Sequence, residues 1–330
     1  MENIDKLLQA LGSIGIVLSY SVYSLQCIVI ETKKKLDSVA LALSNRLHEG
    51  FFVFGAISIA WMRGSSVIYI VESKWIPEIE DARRIYRLFT EREDAPYSIS
   101  SCSRKMLKEI EIPSGYGKSE EMLQATGWHC LIATPGKYED LSLIDLKGAY
   151  WQIARKARTP VVSITNSGNV SFNYLKTKEL EKWLKLLDLI KDNKTMRNGF
   201  IGSLASAKSR IFSKGKYEVR KLPKHKLHHF AHLVVATCYE ITSEAAISVD
   251  SKYSHTDCVA ASKVPQIFDD LQLEYSQKAS GPSEVIAIGN RKIGNDKSEF
   301  YKAQEEGILF DAKAIKTQYH GLKYCRWLVK

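Results

Sequence analysis

The chain has 330 residues, of which 45% are hydrophobic and 25% are charged, as is typical of a globular protein with a substantial core. Its 47 Lys and Arg residues against 37 Asp and Glu residues give a net charge of +10, which favours a polyanionic partner, nucleic acid before an anionic membrane. The six cysteines include no C-x-x-C pair, which argues against a zinc ribbon or a disulfide framework and for a reducing compartment, so we expect a cytoplasmic protein.

The N-terminal segment is predicted to be a small apolar α/β unit, with a helix and a strand, then a charged helix, then strands through Glu72. The stretch without charge between Lys6 and Glu31 has the length of a membrane span, but polar residues interrupt it and β-branched and aromatic residues dominate it. We therefore expect buried strands and no membrane. The runs "IGIVLSYSVYSLQCIVI" and "FFVFGAISIAWM" either form the core of a small domain or face another chain, and we expect a protein partner here.

Two helices are predicted next, over 76–112, and after a turn-rich segment come the strands "HCLIATPGKY" and "LSLIDL", joined by a Pro-Gly turn. Asp145 lies at the end of the second strand. A carboxylate at the end of a buried strand costs free energy unless something pairs with it. Either a cation lies against Asp145, or its side chain caps the helix that follows.

The most periodic segment, "LEKWLKLLDLIKDNKTMRNGFIGSLASAK", is predicted to be one long basic helix. Lys194, Asn198 and Gly202 are spaced at i, i+4 and i+8 and therefore share one face of it. A Lys on that face can meet a triphosphate, and a Gly lets a base or a backbone approach closely. The alternative is a solvated charged face on a core helix.

A further helix, "HKLHHFAHLVVATCYEITSEAA", precedes a predicted β-hairpin in which Asp257 is at the tip. If the fold brings the strand ends of Asp145 and Asp257 together, their like charges require divalent cations. Two Mg²⁺ ions held in this way can activate a 3′-hydroxyl and neutralise a leaving pyrophosphate. The alternative for Asp257 is an ordinary turn residue.

Two of these segments resemble motifs of the family B DNA polymerases, especially the compact protein-primed phage type. "DLKGAYWQ" is similar to the palm motif Asp-x-x-Ser-Leu-Tyr-Pro, with Asp145 at the metal-binding Asp and Tyr150 at the Tyr that screens the sugar. "KTMRNGFIG" is similar to the fingers motif Lys-x-x-x-Asn-Ser-x-Tyr-Gly, matched by Lys194, Asn198 and Gly202.

A third segment, "YSHTDC", is similar to the palm motif Tyr-Gly-Asp-Thr-Asp-Ser, matched by Tyr253, Thr256 and the metal-binding Asp257. The resemblance covers about residues 95–295 and includes "IAIGNRKIG", which loosely resembles the primer-gripping segment. His255 departs from the family pattern, because it stands where the first Asp of the third motif belongs.

The resemblance implies an α+β fold with a polymerase palm built on a central antiparallel sheet, helical fingers, a reduced thumb and the small N-terminal α/β unit. The expected segments are 1–90 for the N-terminal unit, 91–160 and 216–280 for the palm, 161–215 for the fingers and 281–330 for the thumb-like region. Residues 1–90 contain no Asp-x-Glu pair, so we expect no 3′–5′ exonuclease.

The implied function is that of a template-directed nucleotidyltransferase, a DNA polymerase acting on a DNA primer-template and dNTPs. Asp145 and Asp257 would hold two Mg²⁺ ions, with Mn²⁺ as an alternative ion. Lys194 would contact the triphosphate, and Lys182 and Lys185 would be further phosphate contacts. The alternative is a weak or inactive polymerase-like subunit that binds nucleic acid within a larger replication or transcription assembly, as the histidine in the third motif suggests.

Overall fold

The computed structural model describes residues 2–13, 19–24, 27–33, 35–44, 47, 51–54, 57–63, 66–113, 130–134, 136–157, 161–164, 170–173, 175–206, 208–213, 216–223, 225–285 and 293–295. The chain divides into two compact units, and each unit is built from two separate segments. The first unit comprises Met1–Ile112 and Glu181–His225, and the second comprises Pro113–Leu180 and Lys226–Lys330. The predicted fingers segment, 161–215, therefore contributes to both units, and the predicted thumb-like region lies mostly outside the described residues.

The described helices are α1 (Glu2–Ser13), α2 (Leu36–Ser44), α3 (Ile76–Thr90), α4 (Ile99–Lys108), α5 (Ala149–Ala157), α6 (Thr177–Leu189), α7 (Lys194–Ala205), α8 (His228–Ser248) and α9 (Gln266–Asp270). The described strands are β1 (Ser19–Ser24), β2 (Cys27–Thr32), β3 (Phe51–Phe54), β4 (Ser58–Arg63), β5 (Ser66–Glu72), β6 (Cys130–Ala133), β7 (Gly136–Leu146), β8 (Val161–Ile164), β9 (Val170–Asn173), β10 (Lys208–Ser213), β11 (Lys216–Lys221), β12 (Tyr253–His255), β13 (Cys258–Ala261), β14 (Tyr275–Val285) and β15 (Ile293–Asn295).

The first unit contains a seven-stranded sheet with the order β1-β2-β5-β4-β3-β10-β11. The β2–β5 pair is parallel and the other pairs are antiparallel. The predicted α/β elements of the N-terminal segment are all present, but the sheet continues into β10 and β11, which come from a distant part of the chain. The hydrophobic pattern of the N-terminal segment could not predict this extension, because β10 lies far from β3 in the sequence, in the other of the two segments that form the first unit.

Apolar side chains of the N-terminal segment that the structure describes pack inward on this sheet. Their buried cluster contains residues from α1, α2 and four strands, namely Leu11, Ile30, Leu36, Val39, Leu43, Ile59, Trp61, Ile68, Ile70 and Phe212. Of the two alternatives for this segment, the structure therefore supports a core, and it offers no support for a protein partner at this place. No helix among the described residues combines the length and the hydropathy that crossing a membrane requires.

The predicted long basic helix is wrong, because α6 ends at Leu189 and α7 begins at Lys194. Asn193 is the N-cap of α7, and its side-chain oxygen accepts a hydrogen bond from the Met196 N–H at 2.7 Å. Asn stabilises a helix start in this way and competes with a continuous helix, which explains the break. Lys194 is thus the first residue of a new helix.

Two glycines on α7 have different surroundings. A Cβ atom on Gly199 would lie 2.8 Å from Cγ2 of Ile99 on α4, whereas one on Gly202 would meet nothing within 4 Å. Gly199 therefore permits the close packing of α4 against α7, and Gly202 leaves open space beside the helix.

We expect Gly199→Ala to lower the free energy of unfolding by about 1–2 kcal/mol, because overpacking against the β-branched Ile99 outweighs the better helix propensity of Ala. Gly202→Ala is the matched control on the same helix and should raise the free energy of unfolding by about 0.5–1 kcal/mol. Urea unfolding of both variants measures the difference. Equal effects of the two substitutions would contradict the close α4–α7 contact.

The second unit contains a six-stranded sheet with the order β15-β14-β7-β13-β12-β6, and all its described pairs are antiparallel. The fold is therefore α+β with a central antiparallel sheet, as expected. The strands on either side of the Pro-Gly turn do not form a hairpin, because β6 pairs with β12, and both β12 and β13 lie between β6 and β7 in the sheet. The helix α8 packs on β12 and β13.

Candidate functional site

The two predicted metal ligands lie on adjacent strands of the second unit. Asp145 is the penultimate residue of β7, and its partner across the ladder on β13 is Cys258. Asp257 directly precedes Cys258, and its carbonyl accepts a hydrogen bond from the Leu146 N–H at 3.0 Å. Adjacent strands are about 4.8 Å apart, so the fold brings the backbones of the two aspartates together, and whether their carboxylates share a metal stays a prediction. We call Asp145 and Asp257 the carboxylate pair.

Asp257 is held in place by a strained turn. Thr256 and Asp257 connect β12 to β13, and Thr256 has a positive φ of 50°, which is uncommon for a β-branched residue. The Thr256 carbonyl accepts hydrogen bonds from the Thr242 hydroxyl at 3.0 Å and from the Cys238 thiol at 3.7 Å. Both donors lie on the buried helix α8, so this helix fixes the turn that presents Asp257.

Asp145 is paired with a cation. Its carboxylate forms a hydrogen-bonded ion pair with the ammonium of Lys278 on β14. The β14 register shifts between Gln277 and Ser280, which leaves an extra residue at a β-bulge beside Lys278. Of the two sequence alternatives for Asp145, the cation is correct. The helix-cap alternative is wrong, because Asp145 lies within β7 and the residue directly before α5 is Gly148.

The electrostatics around Lys278 involve both carboxylates. Burial acts to lower the pKa of Lys278, but the hydrogen bond and charge of Asp145 and the charge of Asp257 raise it overall. Burial raises the pKa of the Cys258 thiol well above its usual value, and the charges of Asp257 and Asp145 add to this. Cys258 therefore remains a neutral thiol beside two carboxylates.

The donor set suits a hard cation that brings other ligands with it. Among the described residues, no group of three or more His, Cys, Asp and Glu side chains is arranged to hold a metal ion. The carboxylate pair matches the usual binding of Mg²⁺, which takes one or two protein carboxylates and completes its octahedron with water and substrate phosphates. The residues thus fit a metal held jointly with a phosphorylated substrate.

His255 occupies a buried position at the end of β12. Its side chain is 2% exposed, its Nδ1 lies 3.1 Å from the Thr256 hydroxyl, and its ring stacks on Tyr253 with centroids 6.4 Å apart. The ring therefore takes part in the packing of the hairpin. The residue that departs from the family motif is therefore a buried packing residue of this hairpin.

The helix α5 is attached to the start of β14 by Gln152. The Gln152 amide donates to the carbonyls of Lys147 and Glu274 at 2.7 and 2.8 Å, and its oxygen accepts from the Glu274 N–H at 2.8 Å. Tyr150, on the same helix, is half-buried, and its hydroxyl lies 3.5 Å from that of Tyr239 on α8. Whether Tyr150 screens a sugar stays a prediction.

The predicted fingers residues line a cavity in the first unit. The cavity has a volume of about 750 Å³, and Lys194, Asn198 and Gly202 of α7 all face it, as their spacing predicts. Arg104 of α4, Ser98 directly before α4 and Glu78 of α3 lie on its wall. Neither Lys194 nor Arg104 has an ion-pair partner within the described ranges. A cation at the first position of a helix interacts unfavourably with the helix dipole, so the charge of Lys194 does not stabilise α7.

The start of α7 is anchored to α3. Asn193 Nδ2 donates to Asp81 at 2.6 Å, and Asp81 also forms an ion pair with Arg84 at 2.6 Å. Burial acts to raise the pKa of Asp81, but the hydrogen bond from Asn193 and the Arg84 guanidinium outweigh it and hold the pKa below its usual value of 3.8. This anchor fixes the position of the neighbouring Lys194.

Because the pKa of Asp81 is lower in the folded state, its contribution to stability is present above about pH 3.8 and is lost as the pH falls through the lowered value. We expect Asp81→Asn to lower the free energy of unfolding at about pH 6 and to change it little at about pH 2. Urea unfolding across this range measures the effect. Asp192→Asn, at an exposed position in the turn before α7, is the control and should show no such pH dependence.

The other two predicted phosphate contacts lie on α6. The ammonium of Lys182 donates to the Glu109 carbonyl at the end of α4 at 3.1 Å, which is a helix-packing contact. Lys185 is exposed. Their predicted roles stay predictions.

Sequence reasoning missed three residues of these sites. Lys278 reaches Asp145 through a β-bulge, for which the segment "EYSQKASGPS" gave only a weak signal in its Gly and Pro. Gln152 is an uncharged side chain on a helix, and nothing local marks it as buried. Arg104 and Lys194 are far apart in sequence, so only tertiary structure places both on one cavity.

No family model matches the chain, and no curated protein matches it. Several solved structures resemble it distantly. The family B DNA polymerase of the hyperthermophilic archaeon Pyrobaculum calidifontis is 13% identical at a TM-score of 0.34, over 72% of this chain and 36% of its own length. Phi29 DNA polymerase complexed with primer-template DNA and incoming nucleotides is 9% identical at a TM-score of 0.44. The match covers 77% of this chain and 74% of the length of the phi29 chain. Phi29 DNA polymerase complexed with single-stranded DNA is 10% identical at a TM-score of 0.42, and the match covers 76% of this chain and 74% of the phi29 chain.

Proposed function

We propose that the chain is a template-directed nucleotidyltransferase, a DNA polymerase that uses divalent metal ions. The observation that carries the proposal is the placement of the carboxylate pair, on adjacent strand ends whose backbones are joined by the Leu146–Asp257 hydrogen bond. The three sequence motifs in their order and the net charge of +10 support a nucleic-acid substrate.

In the proposed reaction, Asp145 and Asp257 would hold Mg²⁺, or Mn²⁺, together with the phosphates of an incoming dNTP. A metal held there would supply the Lewis acidity that activates a primer 3′-hydroxyl and neutralises charge on a leaving pyrophosphate. The hydrogen bonds from α8 to the Thr256 carbonyl and from Gln152 to the Glu274 carbonyl hold the backbone that carries the two aspartates in place. In its own unit, Lys194 provides a point charge for nucleotide phosphate, with Asn198 beside it and Lys182 and Lys185 as further phosphate contacts. Tyr150 screens the sugar.

The second candidate is a polymerase-like subunit that binds nucleic acid without catalysis. Two observations favour it, namely the buried His255 in place of an acidic residue and the occupation of Asp145 by Lys278. It shares with the first candidate the net charge of +10, which favours nucleic acid, but it requires no metal.

Primer extension by the purified full chain separates the two candidates. The polymerase proposal expects Mg²⁺- or Mn²⁺-dependent extension of a primed DNA template, abolished by EDTA and by Asp257→Ala. DNA binding that is measurable, equal in Asp257→Ala and wild type, and accompanied by no extension with either metal would establish the subunit alternative and overturn the polymerase proposal.

Lys194→Ala is expected to raise the KM for nucleotide by about tenfold, on the order of one charge-assisted contact, and to leave DNA affinity nearly unchanged. Steady-state incorporation kinetics and DNA-binding isotherms measure the two effects. Lys191→Ala, at an exposed position in the turn before α7, serves as the charge-matched control and should change neither. Unaltered nucleotide kinetics in Lys194→Ala would make the fingers assignment wrong.

A further inference from the structure

The proposed chemistry does not use Lys278, although this residue makes the direct contact to Asp145. The Asp145 side chain is 19% exposed, whereas that of Lys278 is 54% exposed. The pair therefore consists of a largely fixed carboxylate and a cation whose flexible stem lies half in solvent.

The ammonium and a metal ion would compete for the same carboxylate. The Lys278 ammonium pairs with Asp145 and also experiences the charge of Asp257, so it supplies positive charge that both carboxylates favour. A divalent ion bound to Asp145 at 2.0–2.6 Å would repel an ammonium at hydrogen-bond distance from the same group. The two cations are therefore alternatives for Asp145.

We infer that Lys278 is an internal competitor for the metal site, which must leave Asp145 before a divalent cation binds there and which thereby sets the metal affinity of the carboxylate pair. The inference rests on the proposed function, since it assumes that the carboxylate pair is a metal site. The role of Lys278 is that of a positioning residue: it holds Asp145 in place in the metal-free protein and is released when metal and substrate phosphates bring more charge than one ammonium.

The test is Mn²⁺ binding to the full chain, without DNA or nucleotide, followed by the loss of the free-Mn²⁺ signal in electron paramagnetic resonance. Lys278→Gln should bind Mn²⁺ about tenfold more tightly than wild type, the order of one charge-assisted hydrogen bond. Lys278→Arg keeps the charge and should bind no more tightly than wild type, which a packing effect of the substitution would not reproduce. Lys252→Gln removes the cation of the Lys252–Asp250 pair in the same unit and should leave Mn²⁺ affinity unchanged.

Asp145→Asn in the Lys278→Gln background should remove the gain. Asp145-dependent binding of equal strength in wild type and Lys278→Gln would overturn the role of Lys278 and leave the metal site standing. If neither protein binds Mn²⁺ through Asp145, either alone or with a dNTP present, both the inference and the proposed metal site are wrong. Thermal unfolding of each variant confirms that the comparison is between folded proteins.

Discussion

Asp257→Asn is expected to reduce metal-dependent nucleotide incorporation by about a thousandfold or more. The substitution keeps the size of the side chain but removes the charge that holds the metal, and a bound metal contributes several kcal/mol of transition-state stabilisation at 1.36 kcal/mol per tenfold in rate. Asp145→Asn should have a similar effect on the rate, and in addition it leaves Lys278 without its carboxylate. Single-turnover incorporation on a primed template, with Mg²⁺ and with Mn²⁺, measures both losses.

The control for both substitutions is Asp250→Asn. Asp250 lies in the same unit, its side chain is 90% exposed, and its positive φ of 49° is one that Asn also adopts readily. We expect incorporation by this variant to equal that of wild type. A loss below tenfold in Asp257→Asn, with metal dependence retained, would contradict a role for the carboxylate pair as metal ligands.

Gln152→Leu is expected to lower the free energy of unfolding by about 2–3 kcal/mol. The substitution retains most of the buried volume but removes all three hydrogen bonds between α5 and the backbone at Lys147 and Glu274, and a buried polar group left without a partner costs about 1–3 kcal/mol. Because the same three hydrogen bonds join the end of β7 to the start of β14, the rate of nucleotide incorporation should also fall. Chemical denaturation followed by circular dichroism measures the stability.

Gln277→Leu, on β14 of the same unit, provides the matched comparison. Gln277 is exposed and makes one hydrogen bond, from its Nε2 to the Ser142 hydroxyl at 2.6 Å. Its substitution should change the free energy of unfolding by less than about 0.5–1 kcal/mol. Equal losses for the two glutamines would mean that Gln152 contributes no more than a surface side chain.

Local pattern predicted the elements that carry the candidate site. The apolar run ending at Asp145, the helix after it and the hairpin around Asp257 are each specified within about a dozen residues, so periodicity and turn chemistry were sufficient. The face shared by Lys194, Asn198 and Gly202 followed from helical spacing in the same way.

The features that pattern did not predict depend on single side chains or on distant pairing. Asn193 ends one helix and begins another, although the leucine and lysine periodicity continues across it. β6 pairs with β12 and not with its neighbour in sequence, because the order of strands in a sheet is a tertiary property. The cation at Asp145 came from β14, where one extra residue in the strand changes which side chains face the carboxylate pair.

Because β10 completes the first sheet, the sheet cannot be fully paired until late in translation. β3 ends at Phe54 and β10 begins at Lys208, so at a synthesis rate of about 5–20 residues per second the edge of "FFVF" stays uncovered for roughly 8–30 s. An apolar strand with an open edge is a template for pairing with other chains. Aggregation is therefore most threatening during translation, and any expression condition that slows the ribosome between these two strands lengthens the period of risk.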